Sequence, residues 1–470
     1  MNKLLLGLDI GSSSVKACLV TVETGKTLAM THSPAEEMPM ESPHPGWAEQ
    51  DPDLWWQHVV LSVRAVLLQS GAKPEQVTAI GISYQMHGLV VVGEDLKPLR
   101  PAIIWCDSRA VKVGHRAFGD LGHNYCFEHF LNSPGNFTAS KLRWIREQEP
   151  GIYERIYKIM LPGDYIAFRL TGEINTTDTG MSEGIFWDYQ ENAISKKLLA
   201  YYEIDENLLP AIVPVFSEQG ELRGDAAKEL GLVPGTLISY RAGDQPNNAF
   251  SLNVIKPGET AATAGTSGVI YCVTDKNVFD PNSRVNTFIH VANTLHRPMK
   301  GVLLCINGTG ILNSWLRRNV SAHSTRYDYD EINKVAAEAP IGSAGLSVLP
   351  FGNGAERILQ NKNVQCSWEG LDFNRHGQAH LFRAAQEGIV FALKYGFEIL
   401  QGMGLHTEMI KAGYANMFLS PLFREAFVNT MGSPLQLYDS DGAKGAALGA
   451  GVGAGIFASF KEAFAGLQLI

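Results

Sequence analysis

Two short runs of glycine and hydroxyl residues carry the first chemical signal. Gly11-Ser12-Ser13-Ser14 and Gly265-Thr266-Ser267-Gly268 each stand between two strand-like stretches. Glycine lets a backbone approach an anion closely, and exposed N–H and hydroxyl groups donate hydrogen bonds to phosphate oxygens. Lys16, two residues past the first run, adds positive charge. Either run alone also suits an ordinary β-turn. As a matched pair, with Asp9 just before the first, they point to a polyphosphate gripped by two loops. Asp9 ends an apolar run, where a carboxylate is costly unless it holds a cation or accepts hydrogen bonds. It suits contact with a phosphate-bound Mg²⁺, or else caps its own turn. Asp244, in AGDQPNN, suits a carboxylate base that takes a proton from a hydroxyl as its oxygen attacks phosphorus. The same residues also suit an Asx-turn.

Two further polar clusters follow apolar strand-like runs, where side chains are well placed to read a ligand. In the first, Gln85 and His87 suit hydrogen bonds to sugar hydroxyls and Met86 suits packing against carbon. A lone histidine is also at home as a satisfied structural residue. The second, Trp105, Asp107 and Arg109, suits a polyhydroxylated ligand, although an Asp/Arg pair is commonly just a salt bridge.

The elements that must position these residues alternate along the chain. Runs at 4–10, 17–22, 77–83, 89–92 and 102–104 are strand-like and bounded by turn residues. The periodicity at 51–68 predicts a helix with Asp51 as N-cap and Pro52 at its first position. Further helices are expected at 378–401 and 422–431, and the glycine-rich stretch 443–460 reads as a close-packed internal helix. The mixture implies an α/β architecture. LLLGLDIGSSSVKACLV near the start is echoed by ETAATAGTSGVIYCV from Glu259, each a β-hairpin with a glycine/hydroxyl tip. Two domains of similar topology are therefore expected, at 1–245 and 246–470. Gly243 and Pro246 are read as a hinge beside Asp244, at that boundary.

Bulk properties narrow the function classes. The 470 residues exceed one ordinary core. A net charge of −9, with no long run of one sign, argues against nucleic acid as the main partner. Six scattered cysteines without a CxxC pair suit reduced thiols in a cytoplasmic protein. Asp9 interrupts the apolar start too early for a signal peptide, and no apolar run is long enough for a membrane span. The chain lacks a GxxxxGKS/T loop and a GxGxxG after a strand, so a P-loop enzyme and a simple dinucleotide-binding dehydrogenase lose support. The oligomeric state stays open, a homodimer included.

Taken together, these pieces resemble the FGGY carbohydrate kinases, most of all their xylulokinase members. The resemblance runs through LGLDIGSSSVK, HPGWAEQDPDLWW, QMHG at 85–88, PAIIWCDSR at 101–109, TASKLRWIREQEP at 138–150 and LPGDYIAFRLTGE at 161–173. It continues in AGDQ at 242–245, AGTSGV at 264–269, GLDF at 370–373 and DGAKGAALGAG at 441–451. It implies a two-domain actin-like (ribonuclease-H-like) ATPase fold with an interdomain active-site cleft, closing on ATP and a sugar. Carried over motif by motif, Asp244 is the implied catalytic base and Asp9 the acid near Mg²⁺ and the phosphates. Gln85, Met86, His87, Trp105, Asp107, Arg109 and Gln245 are implied on the sugar side. Gly11, Ser12, Ser13, Ser14, Lys16, Gly265, Thr266, Ser267 and Gly310 are implied on the ATP side.

The sequence also departs from that pattern. The family's GGGA is replaced by KAGYANMF at 411–418, so Gly413 and Asn416 are the corresponding ATP-side positions. Of the family's GERTP loop, Gly354 to Ile358 keeps only the Glu-Arg core. Gln245 stands where many xylulokinases carry Asn. The implied reaction is phosphorylation of D-xylulose to xylulose 5-phosphate. Ribulose, sedoheptulose or glycerol are alternative acceptors, and an actin-like chaperone or filament ATPase or a catalytically dead sugar sensor are alternatives of another class.

Overall fold

The apolar run at the N-terminus forms strand β1 (Leu4–Ile10), buried on both faces except at Asp9. A near-continuous run of leucine is what a central strand covered on both sides requires. The computed structural model describes residues 2–320 and 327–470. β1 turns back antiparallel into β2 (Val15–Thr21), in a register pairing Ile10 with Val15, which leaves residues 11–14 as the hairpin tip. β3 (Thr27–Ser33) extends the meander, while β4 (Val77–Tyr84) and β5 (Leu237–Gly243) add parallel strands on the other side of β1. The sheet order is β5-β4-β1-β2-β3.

Helix Pro52–Ser70 covers this sheet, with Asp51 accepting a hydrogen bond from the Asp53 N–H at 2.9 Å, Pro52 at the first position and Gly71 closing it in a left-handed conformation. Its buried face, Trp55, Trp56, Val59, Val63 and Val66, has helical spacing, and the Ser62 hydroxyl donates to the Val15 carbonyl.

The second hairpin is β6 (Thr260–Ala264) with β7 (Gly268–Thr274), leaving Gly265 to Ser267 at the tip. After β8 (Asn286–Ile289) come β9 (Lys300–Ile306), β10 (Ile410–Gly413) and β11 (Leu435–Tyr438), in a sheet ordered β8-β9-β7-β6-β10-β11. The run β9-β7-β6-β10-β11 repeats β3-β2-β1-β4-β5 strand for strand and sense for sense. The sequence echo is thus a repeat of a whole sheet topology. Helices Gln378–Gly402 and Pro421–Met431 stand where the periodicity placed them.

The chain folds as two compact units. One holds Met1–Asn253, Phe288–Arg297 and Ser440–Leu467; the other holds Val254–Thr287, Pro298–Asp439 and Gln468–Ile470. The single cut after 245 read from the sequence therefore differs from the units, in which later segments return to the first. The hinge expected at Gly243 and Pro246 is corrected. Gly243 ends β5 and Asp244 begins helix Asp244–Ser251, inside the first unit. Pro246 falls in that helix's first turn, where a missing N–H loses no hydrogen bond.

Helix Gly442–Gly453, also in the first unit, packs on β1, β4 and β5. It lies so close that a Cβ on Gly7 or Gly81 would land on the Ala443 or Ala446 carbonyl. Only small residues on both surfaces allow that approach. Gly81→Val should therefore cost about 3 kcal/mol of stability by overpacking, read as a lowered denaturation midpoint. An unchanged midpoint would contradict the close packing. No disulfide joins any two of the six cysteines, and among the described residues no helix is long and apolar enough to cross a membrane.

Candidate active site

Three parallel strands of the first unit end side by side, and the site is built on those ends. Register pairs Asp9 with Ser83 and Ser83 with Ala242, so Asp9 on β1 and Asp244 just past β5 flank the end of β4. Both carboxylates belong to the first unit. Asp9 accepts a hydrogen bond from the Ser83 hydroxyl at 2.9 Å and lies 3.9 Å from Lys16, its cross-strand partner. A Cβ on Gly442 would stand 2.7 Å from the Asp9 carboxylate and 3.1 Å from the Asn248 amide oxygen, so the start of the glycine-rich helix abuts the same carboxylate. Lys16 is held above its ordinary pKa by the charge of Asp9, against burial and with help from Asp441.

Asp244 is half-buried at the start of its helix. Burial first, and the charge of Asp9 second, push its carboxyl up to about 7, while Gln245 hydrogen bonds oppose the rise. A carboxylate held there exchanges protons at neutral pH, as a base for a hydroxyl needs. Gln245 is thereby placed beside the reactive carboxyl.

The sugar-side residues divide. Gln85 is buried; its amide nitrogen reaches Gln50 at 3.4 Å and its oxygen has no partner among the described residues, an acceptor a ligand can satisfy. Met86 lies against Gly243, next to Asp244. His87 has a left-handed backbone, with φ of 61°, and its ring packs edge-on to Phe137 at 4.9 Å and near Phe288 at 5.2 Å. Trp105 is 41% exposed, and its indole N–H donates to the Ser12 hydroxyl at 3.2 Å, joining the second cluster to the first hairpin tip.

Asp107 and Arg109 are corrected. Both side chains are 0% exposed and bind each other through the Arg109 Nε and Nη2 atoms at 2.7–3.0 Å. Asp107 also accepts the Ala48 N–H, while Arg109 reaches Glu49 at 2.6 Å and lies 3.8 Å above the Trp47 ring. The salt-bridge reading fits them, since both side chains are shielded from solvent, while the buried Arg109 Nη1 has no partner among the described residues. They lock the loop that carries Trp105.

Lys141 was quoted in the sequence without a role. Its buried ammonium donates to the His87 carbonyl at 2.7 Å and the Ile104 carbonyl at 2.9 Å, tying the two clusters together. Burial pushes its pKa down to about 8. Glu183, Ser83, Asn248 and Asp441 were likewise not singled out. Asp441 had a usable signal, an acid before a small-residue helix, and it caps that helix by accepting the Lys444 N–H at 2.9 Å.

In the second unit, the tip at 265–267 is seated on the helix Gly310–Asn319, whose Gly310 and Ile311 N–H groups donate to the Gly265 and Thr266 carbonyls at 2.9 and 3.2 Å. Thr266 is exposed, and Ser267 is partly so. A Cβ on Gly265 would stand 3.6 Å from the Asn416 amide, and Gly413 ends β10 nearby in sequence. Gly265, Gly310 and Asn416 are thus brought together despite the altered motif. Glu356 survives from the Glu-Arg core as a fully buried acid accepting the Asn307 N–H at 3.0 Å, which braces the loop before Gly310.

The sequence matches the profile of the FGGY family of carbohydrate kinases, N-terminal domain, over residues 4–251, and that of its C-terminal domain over residues 260–456. The xylulose kinase of Bacillus subtilis (strain 168) is 28% identical over 468 residues, covering 98% of this chain and 90% of the relative. A ligand-bound xylulose kinase from Lactobacillus acidophilus superimposes with a TM-score of 0.88 at 24% identity, covering 100% of this chain and 93% of that one. A gluconate kinase from the same organism does so with a TM-score of 0.87, also at 24% identity and with the same coverage. Two differently named kinases at equal identity share the fold, so the fold alone does not choose the acceptor.

Proposed function

The chain belongs to the FGGY family of carbohydrate kinases, a sugar phosphotransferase with the two-domain actin-like ATPase fold, and we propose that its acceptor is D-xylulose, giving ADP and xylulose 5-phosphate. The observation that supports the mechanism is the placement of Asp244 at the start of its helix, beside the strand end that carries Asp9, where burial and that charge raise its carboxyl to about 7. Asp244 accepts the proton of the sugar's C5 hydroxyl as that oxygen forms its bond to the γ-phosphorus and the bond to ADP breaks. Little covalent chemistry is left to the protein, and positioning with charge neutralisation supplies most of the rate.

A neutral acceptor is favoured over a sugar acid by the fate of the buried cations. Lys141 donates to two carbonyls, and the charges of Arg109 and Arg241 are already matched by Asp107 with Glu49 and by Asp164 at 3.1 Å. A carboxylate on the sugar would meet Asp244 rather than a free positive charge. The xylulose kinases among the relatives fit this preference.

Asp9 fits a magnesium ion that arrives with the nucleotide. Magnesium takes one or two protein carboxylates and completes its shell with phosphate and water. Among the described residues no cluster of three or more His, Cys, Asp or Glu forms a self-sufficient metal cage. Bound there, the ion would neutralise phosphate charge. Each unit carries its own phosphate-side set, Gly11 to Ser14 with Lys16 in the first and Gly265 to Ser267 with Gly310, Gly413 and Asn416 in the second.

Coupled detection of ADP across D-xylulose, D-ribulose, sedoheptulose, glycerol and gluconate tests the assignment. D-xylulose should give the highest kcat/KM; a clear preference for gluconate would overturn it. In the same assay His87→Ala should raise the KM for the sugar about 3–10-fold, the cost of one hydrogen bond, with the KM for ATP unchanged. An unaltered sugar KM would remove His87 from the pocket.

A further inference from the structure

Gln50 is 1% exposed, and every hydrogen-bonding position of its amide is filled. Its nitrogen donates to the Ser12 carbonyl at 2.7 Å and to the Pro39 carbonyl at 3.2 Å. Carbonyls only accept, so those two contacts fix which end of the amide is nitrogen. Its oxygen receives the Trp55 indole N–H at 3.0 Å and the Gln85 amide nitrogen at 3.4 Å. The sense of the Gln85 amide follows. Reversed, it would set two acceptor oxygens face to face. As it stands, its own oxygen is the buried atom without a partner among the described residues.

The same glutamine is tied to both sides of the site. Ser12 belongs to the first hairpin tip; Gln50 holds its carbonyl while the Trp105 indole holds its hydroxyl. The short strand Glu49–Gln50 pairs with Ala102–Ile103, which leads into Trp105. Gln85 in turn donates its backbone N–H to the Ile10 carbonyl at 2.8 Å, at the foot of that tip.

We propose that Gln50 is a positioning residue serving both substrates. Its N–H groups hold the Ser12 carbonyl of the phosphate-side tip, and its oxygen orients the Gln85 amide so that Gln85 offers an acceptor oxygen to a sugar hydroxyl. The inference rests on the sugar-kinase reading, in which Gln85 faces the acceptor and residues 11–14 face the phosphates. Methionine at position 50 keeps about the same length and apolar stem but makes none of the four bonds.

The test is a double-mutant cycle on Gln50→Met and Gln85→Met, read as the KM for the sugar and the KM for ATP. Gln85→Met should raise the sugar KM about fivefold, the loss of one hydrogen bond, and leave the ATP KM unchanged. Gln50→Met should raise both, each about fivefold. In the double variant the sugar KM should rise no further than in Gln85→Met, because Gln50 acts on the sugar only through Gln85. A glutamine needed only for folding would lower the denaturation midpoint and leave both KM values at wild type, which overturns the proposal. So does a sugar KM that multiplies in the double variant, a wild-type sugar KM in Gln85→Met, or an ATP KM that alone responds to Gln50→Met. If Gln50→Met does not fold, Gln50→Asn takes its place in the cycle, withdrawing the amide by one methylene, with the same pattern expected. If the wild type turns over no sugar, the functional reading fails instead. Calorimetric titration with ADP then still decides whether Gln50 holds the tip: weaker binding in the variant supports it, and equal binding overturns it.

Discussion

Asp244→Asn is expected to lower kcat by about 10²–10⁴-fold while the sugar still binds. Asparagine keeps the size of the side chain and its place at the start of helix Asp244–Ser251, so the fold loses nothing large. What it loses is a group able to take a proton. In the wild type the active form is the ionised one, and burial with the charge of Asp9 raises the carboxyl to about 7. The kcat/KM for the sugar should therefore climb as pH rises through about 7 and level off above it. In Asp244→Asn that rise should vanish along with the rate. Isothermal titration with the sugar separates binding from chemistry: retained affinity with lost turnover is expected, and normal turnover would remove Asp244 from the mechanism.

Asp9→Asn should reduce kcat on the order of 10²–10³-fold, because it removes the strand-end carboxylate assigned to the metal-bound phosphates. A second effect follows from its position. The Asp9 charge is one of the causes that raise Asp244, second to burial. Its neutralisation should move the inflection of kcat/KM to lower pH while the maximum rate falls. Lys16, which that same charge holds above its ordinary pKa, should become easier to deprotonate. A variant with full activity and an unmoved inflection would show that the two carboxylates do not act on one another.

The parts of this protein that read directly from its sequence are those dictated by local rules. Leucine at positions 4, 5, 6 and 8 demanded a strand covered on both faces, and Asp51-Pro52 announced a helix start. The two hairpin tips declared the repeat because each kept glycine and hydroxyl residues where the chain reverses. The hinge read at Gly243 and Pro246 misled, since Gly, Asp, Pro and Asn together suit a turn, yet proline in a first helical turn costs nothing. Asp107 and Arg109 suit either a ligand or a salt bridge by sequence, and only folding shows them buried and paired with each other. Gln50 had no local signal at all: its meaning depends on Ser12 and Gln85, distant in sequence and adjacent only after folding. The return of residues 288–297 and 440–467 to the first unit was hidden for the same reason.

The destination of the phosphoryl group tests the assignment most directly. In a single turnover with [γ-³²P]ATP and D-xylulose, the label should appear in xylulose 5-phosphate, and omitting the sugar should leave it on ATP. Label released as inorganic phosphate at the same rate with or without the sugar would contradict the account.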